Sequence, residues 1–494
     1  MTAPSTQLPL GLKMGHGLGS VAMGVKESGL TTFFMLYYNQ VLGYDPRVIS
    51  LVLIVAMLVD ALIDPLIGRL SDRTRSRWGR RLPWLYAAAL PMALSWIFLW
   101  TNHDSGGHST LLLLINVIAV RIFVSACEIP SASLVAELTQ DYDERTGLTR
   151  FRFLFGWGGG LVTTALAYGY FLVSDTPGTN GLLNASGYQS FGIFGAGLIL
   201  VSTLASALAQ HRRVVALPPR PIPAGGHAML RDVYRAFANP SFRALACGGL
   251  FIVSSYATTI AAINYMMLYV WRLTDQQIAL YPFGLGFAVI GAFILVSPCH
   301  RRFGKRASAI AGALLSAIIV LLTYGARNFG FWPELGTNGA AVLLLVFFAS
   351  SLLFQIITTI STSSMIAEIV EDHELRHGER CEGIFFASYF MVQKFGSALG
   401  IFIVGQLIAV AGLDGRIAPA DLAPHLATNM GWIFAILTMA MAIGVALSLR
   451  YYTIDRASHE ARLAIISTRA REKDGVSHPI EPSGSSDEPH SVSS

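Results

Sequence analysis

The sequence predicts an all-α membrane protein with about twelve transmembrane helices in two six-helix halves. Three observations predict it. The first is composition: 53% of the 494 residues are hydrophobic, 13% are charged, and the mean hydropathy is +0.53. Soluble domains carry about 25% charged residues, so this chain lacks the polar surface of a water-facing globule. The second is recurrence: apolar runs of about 20 residues, long enough to cross a hydrocarbon core of about 30 Å, follow one another along the chain. The third is alternation of charge between loops, with cations crowded into every second one.

Apolar runs between polar breaks place the spans in order. The first, 15–42, carries Lys26 and Glu27, and ends near Tyr37 and Tyr38, read as interfacial aromatics. The second, 47–71, contains Asp60, Asp64 and Pro65 and stops in a dense run of arginines. Spans at 83–101 and 110–138 follow, the latter with Arg121, Ser125, Glu128 and Pro130. The amino half closes with 152–174 and 190–210. The carboxyl half comprises 242–270, 277–297, 306–325, 338–366, 384–412 and 428–450; only 384–412 has a mid-span charge, Lys394. Between the halves, 211–241 is rich in proline and glycine and reads as a linker. The domains are therefore 1–210, 211–241, 242–453 and a tail, 454–494, read as largely disordered.

Cationic clusters at Arg73–Arg81, Arg145–Arg150, Arg212–Arg235, Arg301–Arg306, Arg376–Arg380 and beyond Arg450 fall on alternate loops. The positive-inside rule then places both termini in the cytoplasm, with the protein in the inner (plasma) membrane. The amino terminus lacks the layout of a cleaved signal peptide. The net charge of +5 is orientational and does not indicate nucleic acid. Cys127, Cys247, Cys299 and Cys381 have no metal-binding spacing, and we expect neither a disulfide nor a metal site. A weak repeat supports the two halves: SASLVAELTQDY at 131–142 resembles TSSMIAEIVEDH at 362–373, and RWGRR at 77–81 resembles RFGKR at 302–306.

A charge at the bilayer centre costs about 2.5–3.5 kcal/mol on insertion scales, so each one suggests function. Asp60 and Asp64 are one helical turn apart on the same face. Two carboxylates held so close favour a bound cation or a retained proton; static pairing with Arg69 or Arg121 is the alternative. Pro65, without an N–H, frees a backbone carbonyl one turn earlier. Ser125 offers a neutral oxygen to the cation. Arg121 and Glu128 are seven residues apart and can pair with each other. Lys394 needs an anion, which the span 2 aspartates or Glu128 would supply. Lys26 and Glu27 point about 100° apart; we favour Glu27 as the one facing a cavity. In the inner loops, Asp72, Arg73, Glu137, Asp141, Glu144 and Arg145, and in the second half Glu368, Asp372, Arg376, Glu379 and Arg380, are candidates for charge pairs that hold one conformation closed.

The stretch G-x-x-x-D-R-x-x-x-R-x-G-R-R at 68–81 resembles the loop motif of the major facilitator superfamily. Its longer form at 60–84 resembles the glycoside–pentoside–hexuronide:cation symporters, the melibiose-permease-like group. EIP at 128–130, DYDERT at 141–146, GERCEG at 378–383 and QKFGSA at 393–398 also match, and the resemblance spans about 12–450. It implies the major facilitator fold, alternating access, and cotransport of a small solute with Na⁺, Li⁺ or H⁺, without a cofactor. It puts cation binding on Asp60, Asp64 and Ser125, and solute binding on Glu128, Arg152 and Lys394. The family's span 1 acid falls on Gly24, leaving Glu27 as the nearest carboxylate, and its sugar-stacking tryptophan falls on Ala132. The implied cargo is a sugar, glycoside or uronide; a lipid-like solute is the alternative, and a membrane scaffold or sensor a weaker one. No HExxH, GxSxG or Walker sequence points to an enzyme. Expected partners are the solute, the cation and the lipid bilayer, with the chain as a monomer. The sequon Asn184-Ala185-Ser186 lies on an expected outer loop.

Overall fold

The computed structural model describes residues 8–101, 109–139, 141–174, 179–217, 236–377 and 382–452, together with 234 and 454. Much of the expected linker and nearly all of the tail lie outside these residues. The described chain is helical throughout. Helices α1 (Leu10–Leu18) and α2 (Val21–Glu27) lead into wider π turns at Ser28–Phe33 and Tyr37–Val41. Then follow α3 (Pro46–Arg73), α4 (Leu82–Thr101), α5 (Thr110–Leu138), α6 (Tyr142–Leu166) and α7 (Ala185–Val215). The remainder are α8 (Pro240–Tyr265), α9 (Asp275–Ile278), α10 (Tyr281–Phe303), α11 (Lys305–Asn328), α12 (Asn338–His377), α13 (Glu382–Val410) and α14 (Pro424–Leu449).

Among the described residues, ten helices are long and apolar enough to cross a membrane. Two expected spans fall short for identifiable reasons. The first is interrupted at Gly19 and by the π turns. The fifth begins ten residues earlier than expected, at Tyr142, and its opening turns contain Arg145, Arg150 and Arg152. Polar caps start several helices. Asp45 accepts from Arg47 N at 2.7 Å ahead of Pro46, and Ser109, Asp141 and Asn239 cap α5, α6 and α8. Asn184, the residue of the sequon, caps α7.

Helices before residue 217 pack chiefly among themselves, α3 on α5, α4 on α5 and α7, and α1 and α2 on α6. Those after 236 do the same, α8 against α12, α13 and α14, and α11 against α12 and α14. The most extensive contacts between the sets are α3 with α13, α8 with Ser28–Phe33, and α10 with α6. The repeat runs deeper than the sequence shows. The π turn Tyr37–Val41 and its counterpart Met266–Val270 are each followed by a residue at positive φ, Gly43 at 86° and Arg272 at 51°. Tyr44 N bonds Tyr38 O, and Leu273 N bonds Met267 O, both at 2.9 Å. A left-handed conformation costs an ordinary residue about 1–2 kcal/mol, so Arg272 keeps the first copy's geometry at an energetic penalty. Gly79 (81°) and Gly304 (79°) likewise share a turn inside the two basic motifs.

Tyr37 and Tyr38 are not interfacial. Both are buried, and their hydroxyls donate to the carbonyls of Trp100 at 3.0 Å and Leu99 at 2.7 Å. Trp100 and Tyr188 flank Tyr37, with Phe191 packed on Trp100, and turn an expected surface belt into core.

At the end away from the basic loops, uncharged side chains tie the two sets together. Asn264 Nδ2 donates to Thr32 O at 2.7 Å, and its Oδ1 accepts from the Tyr168 hydroxyl at 2.6 Å. Tyr265 donates to Asn39 Oδ1 at 3.0 Å, and Tyr269 to Gln40 Oε1 at 2.8 Å.

Candidate functional site

Asp60 and Asp64 stand one turn apart on α3, where α3 packs on α13. Lys394 of α13 reaches both. Its Nζ donates to Asp60 Oδ2 at 3.1 Å and to Asp64 Oδ2. Ser125 Oγ on α5 donates to Asp60 Oδ1 at 2.9 Å, and Arg121 Nη1 approaches Asp60 Oδ2 at 3.4 Å. The structure thus brings together the three residues expected at a cation seat and the expected lysine. It also chooses between the partners open to Arg121: Asp60, one helix away, in place of Glu128 on its own helix. An α-helix turns through about 700° over seven residues, nearly two full turns, so Arg121 and Glu128 share a side but sit about 10 Å apart along the axis.

A second group adjoins the first. Lys26 Nζ pairs with Glu27 Oε2 at 3.0 Å, and Thr31 Oγ1 donates to Glu27 Oε1 at 3.3 Å. Lys26 also lies within electrostatic reach of Glu128, Arg121 and Asp60. Arg152 lies within electrostatic reach of Glu128 and donates to Ser131 Oγ at 2.8 Å. Glu27 keeps 61% of its side chain exposed, against 14% for Lys26. Glu27 is therefore the member of that pair open to a cavity, with Tyr256 of α8 within electrostatic reach.

Gly24 is the tightest point of the site. A Cβ there would lie 2.2 Å from Gly156 O and 2.5 Å from Gly160 N. No acid can occupy that position while α2 and α6 remain in contact, whereas Ala132 is exposed and has space for a larger group.

At the basic end, ion pairs form on different arginines from those expected. Arg80 Nε donates to Glu137 Oε1 at 2.7 Å and Arg81 Nε to the same oxygen at 3.2 Å. Arg81 also bonds Ser71 Oγ at 2.6 Å and pairs with Asp72 Oδ1. Arg73 is exposed at the last residue of α3. The positive-φ turn at Gly79 aims the next two guanidiniums back at α5. Asp141 is a helix cap, accepting from Glu144 N at 2.9 Å, and Arg145 Nε donates to Thr139 O at 3.0 Å, so both shape the turn between α5 and α6. Glu144 pairs with Lys13 at 2.9 Å. The hydrogen bonds from Lys13 and from Leu8 N hold its carboxyl below the usual range. In the second copy Lys305 Nζ meets Glu368 Oε1 at 2.8 Å, as Arg80 meets Glu137, and Tyr452 donates to Glu368 Oε2 at 2.7 Å. Asp372 is buried. Glu379 and Arg380 lie outside the described residues, as does the side chain of Arg376.

Breaking a buried pair by removing one partner costs about 3–5 kcal/mol, and exposure reduces that cost. Glu137→Ala strands two guanidiniums at 9% side-chain exposure of the acid, whereas Glu368→Ala releases a lysine that is 31% exposed. Thermal unfolding in detergent should therefore show the larger loss for Glu137→Ala.

Sequence reasoning missed a pair of adjoining small cavities in the second helix set. Both are bordered by Thr259, Ser351 and Gln355, and Gln355 Nε2 donates to Ser255 Oγ at 3.3 Å. Neutral hydroxyl and amide groups spread over helices leave no charge or spacing signal.

A many-helix membrane bundle with an ionised cluster at the contact between two packed sets defines a polytopic membrane transporter. The comparisons narrow the class. A family profile described as MFS/sugar transport protein matches residues 15–456, and the chain belongs to this family, in its glycoside–pentoside–hexuronide symporter branch. It is a transporter and not an enzyme. It is 27% identical to an uncharacterized symporter, sll1374, of Synechocystis sp., over 90% of this chain and 94% of that one. It is 25% identical to the inner membrane symporter YicJ of Escherichia coli (90% and 91%). With the isoprimeverose transporter of Lactiplantibacillus pentosus it shares 23% identity (91% and 90%). Among solved structures, the nucleoside transporter NupG superposes with a TM-score of 0.61 at 13% identity, covering 89% of this chain and all of that one. At this identity the likeness shows the fold alone.

Proposed function

We propose that the protein is a secondary active transporter that couples a cation, Na⁺, Li⁺ or H⁺, to symport of a sugar, glycoside or uronide by alternating access. One observation carries the reading: Lys394, from the second helix set, bridges Asp60 and Asp64 of the first. A cation entering between those carboxylates must compete with the ammonium, and so acts on the contact that joins the two sets. This is a differential interaction between two states, which any conformational coupling requires. In this reading the sets are the two six-helix halves, with α1–α2 and α6 supplying the first and fifth spans, and the chain works as a monomer in the inner membrane with cytoplasmic termini. The uncharged ties at the end away from the arginines support a conformation closed to the outside. The named cargo of the isoprimeverose transporter and the ionised lining support a polar solute over a lipid-like one.

Purified protein in vesicles, given an imposed Na⁺, Li⁺ or H⁺ gradient and a panel of sugars, glycosides and uronides, should accumulate one solute above equilibrium with one cation. Accumulation should collapse when an ionophore dissipates the gradient. Uptake that only equilibrates under all three gradients would rule out symport.

A further inference from the structure

The loop between α3 and α4, residues 74–81, also reaches the basic end of α7. A Cβ at Gly79 would lie 3.0 Å from Val214 Cγ1. Trp78 packs edge-on against Tyr86 of α4, with ring centroids 5.6 Å apart, and against His211 of α7, at 5.9 Å. The Tyr86 hydroxyl and His211 Nδ1 are hydrogen-bonded at 3.0 Å, which closes a three-ring corner. Two cations border it. The Arg77 guanidinium lies over the Trp78 ring, 5.3 Å from its centroid, and Arg212 directly follows His211. Both arginines are exposed. The acids that meet this loop, Asp72 and Glu137, take Arg80 and Arg81 instead. Among the described residues, Arg77 and Arg212 have no ion pair.

Two apolar stripes lead to the corner from the membrane. Leu90, Leu94 and Phe98 continue the face of Tyr86 along α4 at four-residue intervals, and all three are exposed. On α7, Leu208 and Val215 share a face with His211 and Arg212 and are exposed as well. The two helices pack on each other. Exposed apolar side chains on spanning helices face hydrocarbon, and amphipathic aromatics at the end of such a face mark headgroup level. Guanidiniums at that depth, without a protein anion, match a phosphodiester. The matching turn of the second set is not closed in this way. Nothing lies within 4 Å of a Cβ at Gly304, and Phe303, under Arg302, is itself exposed.

We propose that this corner binds one anionic phospholipid. Its phosphate takes Arg77 and Arg212, and its acyl chains lie along the stripes of α4 and α7. A zwitterionic lipid brings its own cation beside the phosphate, so two guanidiniums favour a headgroup with net negative charge. The bound lipid ties the α3–α4 loop, and through Arg80 and Arg81 the end of α5, to the end of α7. It therefore stabilises the first helix set. The site is separate from the ionised cluster around Asp60, and the inference stands whether or not the chain is a symporter.

The test is native mass spectrometry of the purified, delipidated full chain, titrated with phosphatidylglycerol, phosphatidylcholine or inorganic phosphate. The expected result is one phosphatidylglycerol held in preference to phosphatidylcholine and not displaced by inorganic phosphate. The double variant Arg77→Gln, Arg212→Gln should bind it about tenfold more weakly or worse. Arg150→Gln, Arg302→Gln removes the same charge from exposed arginines of the same end and should bind as the wild type does. Thermal unfolding in detergent gives a second readout. Added phosphatidylglycerol should raise the unfolding temperature of the wild type and of the Arg150, Arg302 variant, and not that of the Arg77, Arg212 variant. Equal losses in the two double variants would mean that surface charge alone attracts the lipid, and would overturn the site. So would equal binding of phosphatidylcholine, or displacement of the lipid by inorganic phosphate.

Discussion

Asp60→Asn is expected to abolish cation-driven accumulation while leaving a folded, inserted protein. Asp60 receives Ser125, Arg121 and Lys394 on its two oxygens, and it is the most buried acid of the cluster. An asparagine of the same shape keeps one carbonyl oxygen for Ser125 but removes the charge that holds both cations. Loss of one partner in a buried ion pair is worth about 3 kcal/mol or more, equivalent to roughly a hundredfold in an equilibrium. The measurement is the initial rate and plateau of solute uptake under the driving gradient, with size-exclusion profile and helical content as folding controls. The plateau should fall to the equilibrium value. Wild-type accumulation in a correctly inserted Asp60→Asn protein would remove Asp60 from the coupling site. Asp64→Asn should do less to folding, because Asp64 is more exposed and pairs with Lys394 alone.

The second large effect lies in packing. Gly24→Leu should prevent stable assembly, and Gly24→Ala should already lower the unfolding temperature. The atoms that a Cβ would meet at 2.2 and 2.5 Å belong to the backbone of α6, so no side chain can move aside. Overpacking of this kind costs about 1–3 kcal/mol where neighbours can shift, and here the whole helix would have to move. Gly158→Ala, with nothing within 4 Å of its Cβ, is the control and should be close to neutral. Thermal unfolding of the purified variants in detergent distinguishes them. The same geometry explains why restoring the family's acid as Gly24→Asp should destabilise the bundle, whereas Ala132→Trp should be tolerated.

Much of this site was legible in the chain before any coordinates. Asp60, Asp64 and Lys394 announce themselves because an ionised group inside an apolar run is costly and must be compensated. Their clustering around one point follows the expectation closely. What was not legible was partner choice. Arg121 could reach along its own helix or across to the next, and only the packing of α3 on α5 selects Asp60. The ion pairs at the basic end fall on Arg80 and Arg81 for a similar reason: a glycine turn decides where guanidiniums point, and a list of arginines does not.

By itself, then, the sequence determined that this chain is a polytopic helical membrane protein with charges in its second span that need compensation. Both follow from transfer energies, which depend on residue type and run length. Tertiary structure alone decided that Tyr37 and Tyr38 are core, that position 24 excludes an acid, and that a neutral cavity forms around Gln355 and Ser255. Those features depend on which helix faces approach one another, and how closely, and that is a property of the assembled bundle with no counterpart in any single span.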